Sequence, residues 1–467
     1  LIAVLALAAA IRIGLLVEEG LGGDEAFTGT AFRLPPVDAA LRLREQFVDP
    51  PLHHLIALPM YSMGGGSIFA LRLLSVVLSV ALVGLAYRFA RELTSGSRVA
   101  GVAAAALASV SELQIYFAQN SRGYVLGGVE ILLLGWAAIG VARRPDSPGP
   151  RQAYIILGCA LALTHIWAIV YLIMMLPAFR LGAAERPVRR WWSLTWPGLA
   201  MSLTWLVLVV ATHRQGARRE YEDLPSVSDF VLSCLHFVGV PVFRYGGRVT
   251  AIAAFGVIAL AWLGRRLDRQ SVLVGVAERW FLVGLAVVPP LAIFAMSHLV
   301  PAAHVWSEGQ VLASQLAACV IVGSAVAEVW RSSPMVSLAA LAVFVVLNDP
   351  LHLLGGELPR RPAYQIIALR LEAVRSPQEA IFSTTHEGLG HPLNAYLSPP
   401  DTSRDLAALA PSGLNAMWLV FRPSSLDDAN RLRELRAQGW RTTDSLHIGN
   451  DLGTSIARLV KDSLPPR

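Results

Sequence analysis

Residues 152–180 read QAYIILGCALALTHIWAIVYLIMMLPAFR, an apolar run whose only interior polar pair is Thr164-His165. How often this run crosses a bilayer decides the fold. As one crossing it would put Arg180, Arg186, Arg189 and Arg190 on the opposite side from Arg143, Arg144 and Arg151, and would carry later basic loops outside as well. That conflicts with the excess of Lys and Arg that marks cytoplasmic loops. As two short helices turning near Thr164-His165, it gathers those arginines with Arg88, Arg91, Arg98, Arg265, Arg266, Arg269, Arg279 and Arg331 on one face. We expect that face to be cytoplasmic. The loop after the first apolar run, the junction from Gln119 to Tyr124, the loops 213–248 and 301–309 and the C-terminal part then share the opposite face.

The whole chain supports a membrane reading. Its 467 residues are 54% hydrophobic and only 15% charged, with a mean hydropathy of +0.53, which is the composition of a polytopic α-helical membrane protein. Apolar runs at 1–17, 68–90, 99–119, 123–142, 152–180, 191–212, 249–264, 280–300, 310–330 and 334–349, with 152–180 counted twice, predict about eleven membrane helices. The first run, without a Met or a basic segment before it, reads as the interior of a first helix and not as a cleaved signal peptide. Residues 1–351 are expected to form the transmembrane domain and 352–467 a small α/β domain on the extracytoplasmic side. In that tail, 380–384, 417–421, 442–448 and 455–460 read as strands and 427–438 as an amphipathic helix. His386-Glu387-Gly388-Leu389-Gly390-His391 has the wrong histidine spacing for one helical face and reads as a turn. Cys159, Cys234 and Cys319 are too scattered for a disulfide framework or a thiolate metal site. The net charge of +6 reports topology and lipid headgroups, not nucleic acid.

Chemistry-bearing residues concentrate on the outer face. Asp24-Glu25 follows the first apolar run, and Asp49-Pro50-Pro51-Leu52-His53-His54 comes some two dozen residues later. Short amphipathic helices are expected at Asp38 to Arg44 and from Leu52 onward, framing a cleft at headgroup level. Gly64-Gly65-Gly66 reads as a joint. His53, His54, His165 and His304 with Asp24 or Asp49 offer ligands for a divalent metal, but no metal-motif spacing supports this, and substrate contact is the better reading. His165, a polar group inside an apolar run, stands out, since such groups are costly unless functional.

Taken in order, Asp24-Glu25, Pro50-Pro51-Leu52, Ala70-Leu71-Arg72-Leu73, Ile115-Tyr116-Phe117-Ala118-Gln119-Asn120-Ser121-Arg122-Gly123-Tyr124 and Leu163-Thr164-His165 resemble the motifs of a known family. It is the GT-C glycosyltransferases that use polyprenyl-phosphate sugars, in the group related to dolichyl-phosphate-mannose protein mannosyltransferases and bacterial aminoarabinose transferases. The resemblance runs from Leu1 to about Leu351. Three positions depart from it: Asp49 replaces a usual His, Asn120 a usual Glu, and Gln310, in Trp306-Ser307-Glu308-Gly309-Gln310-Val311, stands where the family often has an Arg-Tyr pair.

The resemblance implies transfer of a sugar from a polyprenyl-phosphate donor to a lipid, glycan or protein acceptor outside the membrane, without a nucleotide-binding fold. Such a transfer needs a base on the acceptor and stabilisation of the departing phosphate. Asp24 fits the base, with partial desolvation raising its pKa, and Glu25 either orients it or faces water. A single base without a covalent nucleophile implies inversion. Arg72 and Arg122 are the expected phosphate partners, since Arg binds phosphate through a planar fork; the alternative is snorkelling to lipid headgroups. Arg244 and Arg248 are candidates to replace the missing family Arg. His53, His54, Asn120, Tyr124, His165 and Gln310 are the expected substrate contacts, with Tyr116 and Tyr124 also suited to the interfacial aromatic belt. Two other readings are a homologue that binds polyprenyl phosphate without transferring sugar, favoured by Asn120 and Gln310, and a lipid or solute transporter, disfavoured by the lack of internal repeats and by an acidic pair in a loop.

Overall fold

Why each apolar run becomes a helix of its own is set by its breaks. The computed structural model describes residues 1–14, 16, 23–35, 37–39, 43, 50–182, 188–213, 226–237, 276–299, 308–348, 364–376, 379–384, 393, 397, 403–405, 414–421, 426–448 and 454–461. The chain divides into two units: Leu1–Gly14, Gln46–Pro59 and Arg72–Leu354 in the first, Leu15–Glu45, Met60–Leu71 and Gly355–Arg467 in the second. In chain order the helices up to residue 348 are α1 (Ile2–Gly14), α2 (Gly23–Ala31), α3 (Leu52–Met63), α4 (Ile68–Leu93), α5 (Arg98–Val110), α6 (Glu112–Ala118), α7 (Tyr124–Arg143), α8 (Pro148–Ala162), α9 (Ala168–Gly182), α10 (Val188–His213), α11 (Val227–Phe237), α12 (Val276–Leu299), α13 (Leu312–Ser332) and α14 (Pro334–Asn348). Nine of the ten apolar runs thus carry helix, and the tenth, 249–264, lies outside the described residues. Among the described residues five helices are long and apolar enough to cross a membrane, or six if α5 and α6 count as one bent span.

The run 152–180 does break where the arginines require it, with α8 ending at Ala162 and α9 beginning at Ala168. The run 99–119, expected as one helix, is instead bent by 61° between α5 and α6. Ser111 causes the bend: its side chain accepts the Gln114 N–H at 3.4 Å and so starts a new helix. The carbonyls left open at the end of α5 are taken by the fully buried Arg12 of α1, which donates to Ser109 O at 2.9 Å, Ala108 O at 3.1 Å and Ser79 Oγ at 2.7 Å. Gln114 Nε2 donates to Gln315 Oε1 at 2.5 Å, and Gln315 Nε2 to Ser111 Oγ, which ties the bend to α13. The loop 213–248 also contains a helix that was not expected, α11, whose Phe230 lies 4.5 Å from the ring of Phe294 in α12.

Helix α13 is the centre of the first unit, packed against α5, α7, α12 and α14. Small residues permit this: a Cβ on Gly323 would lie 2.7 Å from Ala104 N and 2.9 Å from Ala100 O of α5, so the two backbones touch, as in other close membrane-helix pairs.

In the second unit, α2 carries Asp24-Glu25, and the Tyr61 hydroxyl reaches Gly29 O at 3.4 Å and Arg33 Nε at 3.3 Å. The expected joint turns at Gly65 and Gly66, with φ of +66° and +74°, values that glycine adopts without steric cost. The expected helix at Asp38 to Arg44 is described only at 37–39 and 43, where it is helical. The tail forms α15 (Tyr364–Val374), β1 (Ala380–Ser383), β2 (Ser403–Asp405), β3 (Ala416–Phe421), α16 (Leu426–Ala437), β4 (Trp440–Ile448) and β5 (Thr454–Lys461). The sheet order is β2-β1-β3-β5-β4, with β1 parallel to β2 and β3, and β5 antiparallel to β3 and β4. Ile381, Trp418, Val420 and Ile456 share one core with Ile367 and Leu371 of α15, while Phe382, Met417, Leu419 and Leu459 share another with Leu435 of α16. Apolar cover on both faces explains why these strands read as unbroken apolar runs. Glu379 links them: it accepts Trp418 Nε1–H at 2.8 Å and Arg458 Nε–H at 3.0 Å. The Arg458 hydrogen bond holds its carboxyl below the usual carboxylate range.

Candidate active site

Four separated stretches meet in the first unit around the turn 163–167. Pro50-Pro51 leads into α3, whose first N–H groups have no partner within the helix. One of them, Leu52 N–H, donates to Leu163 O at 2.8 Å, which fixes the start of α3, and therefore His53, on the turn. The second stretch is Gln119 to Tyr124, entering α7. A Cβ on Gly123 would sit 2.9 Å from Thr164 O and 3.6 Å from His53 Cβ, and one on Gly127 would sit 3.0 Å from His165 Cδ2. Glycines four residues apart thus let the turn lie directly on α7.

The turn itself is held by its own side chains. Thr164 Oγ1 donates to Glu130 Oε1 of α7 at 3.0 Å and lies 3.0 Å from Ala160 O. His165 Nδ1 accepts the Trp167 N–H at 3.1 Å, and the ring also hydrogen bonds the Gln310 backbone; these partners place the ring proton on Nε2. The Gln310 carbonyl further accepts the Tyr171 hydroxyl at 2.7 Å. Gln310 belongs to the fourth stretch, the short 3-10 helix Glu308–Val311. Its neighbour Gly309 is close-packed: a Cβ there would lie 2.6 Å from Phe117 Cε1 and 3.0 Å from Tyr124 Cδ1. The Phe117 and Tyr124 rings meet edge to face at 5.0 Å.

His53, Tyr124, His165 and Gln310, expected as substrate contacts from motifs far apart in sequence, are therefore joined in one contact network. His53 is 1% exposed, and among the described residues neither ring nitrogen has a hydrogen-bond partner. Burial, with the neighbouring His54 adding to it, pushes its pKa down to about 3, so at neutral pH it offers one donor and one acceptor and no charge. His54, pushed down by burial to about 4, meets the His53 ring edge on at 5.6 Å. Asn120 keeps a buried Oδ1 with no hydrogen-bond partner among the described residues, and its backbone carbonyl accepts the Arg122 N–H at 2.9 Å. Arg122, 8% exposed, and Arg72, fully buried in α4, are enclosed by protein, which argues against lipid-headgroup snorkelling for either.

Asp24 and Glu25 lie on α2 in the second unit, where Glu25 is 1% exposed. The Asp24 side chain, Asp49, Arg244, Arg248 and His304 lie outside the described residues, as does the turn at His386 to His391. Among the described residues no group of three His, Cys, Asp or Glu side chains is arranged to hold a metal. Sequence reasoning missed Glu130, Gly123 and Gly127. Their signals are an acid inside an apolar run and a Gly-x-x-x-Gly spacing.

No protein-family model and no curated protein sequence matches the chain. Solved structures do. The chain is similar to ArnT from Cupriavidus metallidurans, with a TM-score of 0.59 and 14% identity to the form bound to undecaprenyl phosphate and 0.62 and 13% to the apo form, each covering 98% of this chain and 97% of that one. It is also similar to the archaeal oligosaccharyltransferase AglB from Archaeoglobus fulgidus in complex with an inhibitory peptide and a dolichol-phosphate, with a TM-score of 0.51 and 11% identity over 90% of this chain and 69% of that one. The chain therefore has the polytopic membrane GT-C fold, shared with ArnT and AglB.

Proposed function

We propose that this protein is an integral membrane glycosyltransferase that moves a sugar from a polyprenyl-phosphate donor to an acceptor on the extracytoplasmic side of a bacterial plasma membrane. The observation that carries this reading is that residues matching separate family motifs join in one buried network, in a chain that matches ArnT along nearly its whole length. In this reading Asp24 removes the acceptor proton, Glu25 orients it, and Arg122 and Arg72 take the charge of the leaving phosphate. Arg244 and Arg248 would supply further positive charge. Neutral His53, with both ring nitrogens unpartnered among the described residues, is suited to sugar hydroxyls, and His54, Asn120, Tyr124, His165 and Gln310 would supply the further substrate contacts. With one base and no covalent nucleophile, the anomeric centre inverts in a single displacement.

Replacing Asp24 by Asn tests the mechanism. Transfer should fall by at least ~100-fold, the lower range of general-base contributions, while undecaprenyl-phosphate binding persists. Near-normal turnover in Asp24→Asn would remove Asp24 from the reaction.

A further inference from the structure

Glu130, the one acidic residue of α7, is 5% exposed in an otherwise mostly apolar helix. A buried carboxyl needs a reason to be there. Oε1 accepts Thr164 Oγ1–H, and among the described residues Oε2 has no hydrogen-bond partner. Thr164 is the hinge of the turn 163–167: the preceding carbonyl, Leu163 O, holds Leu52 N–H, and its own carbonyl abuts Gly123, which packs against His53. The following residue, His165, lies on Gly127, one turn of α7 from Glu130. Gly123, Gly127 and Glu130, spaced by four and three, occupy one face of α7, so that face consists of two contact glycines and one gripping acid.

We infer that Glu130 is a positioning residue, which clasps Thr164 and thereby sets His53 and His165 in place for sugar transfer. The inference rests on the proposed function for its catalytic consequence, but the clasp exists whatever the reaction is. Shape alone does not explain the acid: Thr164 already has a neutral acceptor in Ala160 O, and an apolar side chain at 130 would fill the space without leaving an oxygen unpaired.

The test uses the full chain in nanodiscs, with Glu130→Leu, Glu130→Gln, Thr164→Val and Thr164→Ser. Gln keeps an acceptor oxygen and Ser keeps the hydroxyl; Leu and Val remove them. Two readouts are taken. Amide exchange at Leu52, the first N–H after two prolines, should quicken at least ~10-fold in Glu130→Leu and Thr164→Val and stay near wild type in Glu130→Gln and Thr164→Ser. In transfer assays the first pair should lose kcat by about 10-fold or more with donor KM nearly unchanged, and the double variant Glu130→Leu/Thr164→Val should lose no more than either alone. Unchanged Leu52 exchange in Glu130→Leu, or loss of activity in Gln and Ser equal to that in Leu and Val, would overturn the inference. If the wild type transfers no sugar from any donor, the proposed function fails, and the exchange readout still decides the clasp.

Discussion

Adding one methyl group at Gly123 should separate site geometry from overall stability. Gly123 sits at φ −65° and ψ −3°, a helical conformation open to alanine, so Gly123→Ala carries no backbone strain and gains about 0.4–1 kcal/mol through the unfolded chain. Against this, the new Cβ would lie 2.9 Å from Thr164 O and 3.4 Å from Thr164 Cγ2. Ordinary contact begins at 3.4 Å, so about 0.5 Å more room is needed, and the obstructing atom is backbone in a turn already held by Leu52 N–H and Glu130. Overpacking of this kind costs about 1–3 kcal/mol, leaving a net loss near 1 kcal/mol. The effect on transfer should be larger than that figure suggests, because the displaced turn carries His165 and abuts His53, and a misplacement of about 1 Å can cost 100-fold. We expect transfer to fall about 10-fold or more. Gly149→Ala, where nothing lies within 4 Å of the new Cβ, is the matched control. Purified variants compared by thermal unfolding, donor-lipid affinity and turnover decide the matter. A Gly123→Ala protein as active as Gly149→Ala would refute the claim that turn and helix must touch.

Arg122→Ala and Arg72→Ala should each weaken undecaprenyl-phosphate binding by about 1.5–3 kcal/mol, the range for hydrogen bonds to charged groups, with Lys restoring only part and the double change less than additive; unaltered affinity in the double variant would point to Arg244 and Arg248. Glu379, held below the usual carboxylate range by Arg458, binds fewer protons folded than unfolded around pH 4, so its contribution is full above about pH 4.3 and fades as pH falls through the folded value. Glu379→Gln should therefore cost about 1 kcal/mol at pH 7, a small figure because Arg458 is partly exposed, and nothing at the lowest pH, as read by exchange in β1 and β3. In a background without Cys159, Cys234 and Cys319, cysteines at the exposed Met63 and Asp146 should be labelled by an impermeant reagent from outside and inside respectively; the reverse pattern would invert the proposed topology.

Arginine placement alone predicts the two helices in 152–180, because charge bookkeeping does not depend on packing. The bend at Val110–Ser111 is hidden from the same argument, since no charge marks it. Its local signal is a serine three residues before Gln114, the spacing of a capping box. Motif order predicts that His53, Tyr124, His165 and Gln310 act together, but what brings them into contact is a pair of glycines, and a glycine's value depends on a neighbour that the sequence does not reveal. Glu130 is legible as an acid in an apolar run, whereas its partner Thr164 becomes visible only when α7 and the turn are placed side by side. In the tail, β3, β4 and β5 announce themselves through alternation or apolar runs. The three-residue β2, Ser403–Asp405, is polar and depends wholly on pairing with β1.

The central claim is that this chain transfers sugar from a lipid phosphate, and it is tested most directly by purified protein in liposomes given a panel of undecaprenyl-phosphate sugars labelled in the sugar. The account predicts that one donor loses its sugar to an added acceptor extract, leaves free undecaprenyl phosphate and gives a product of inverted anomeric configuration, and that Asp24→Asn abolishes this while still binding the lipid. Tight lipid binding by the wild type with no sugar transferred from any donor would contradict it and leave a polyprenyl-phosphate-binding protein in its place.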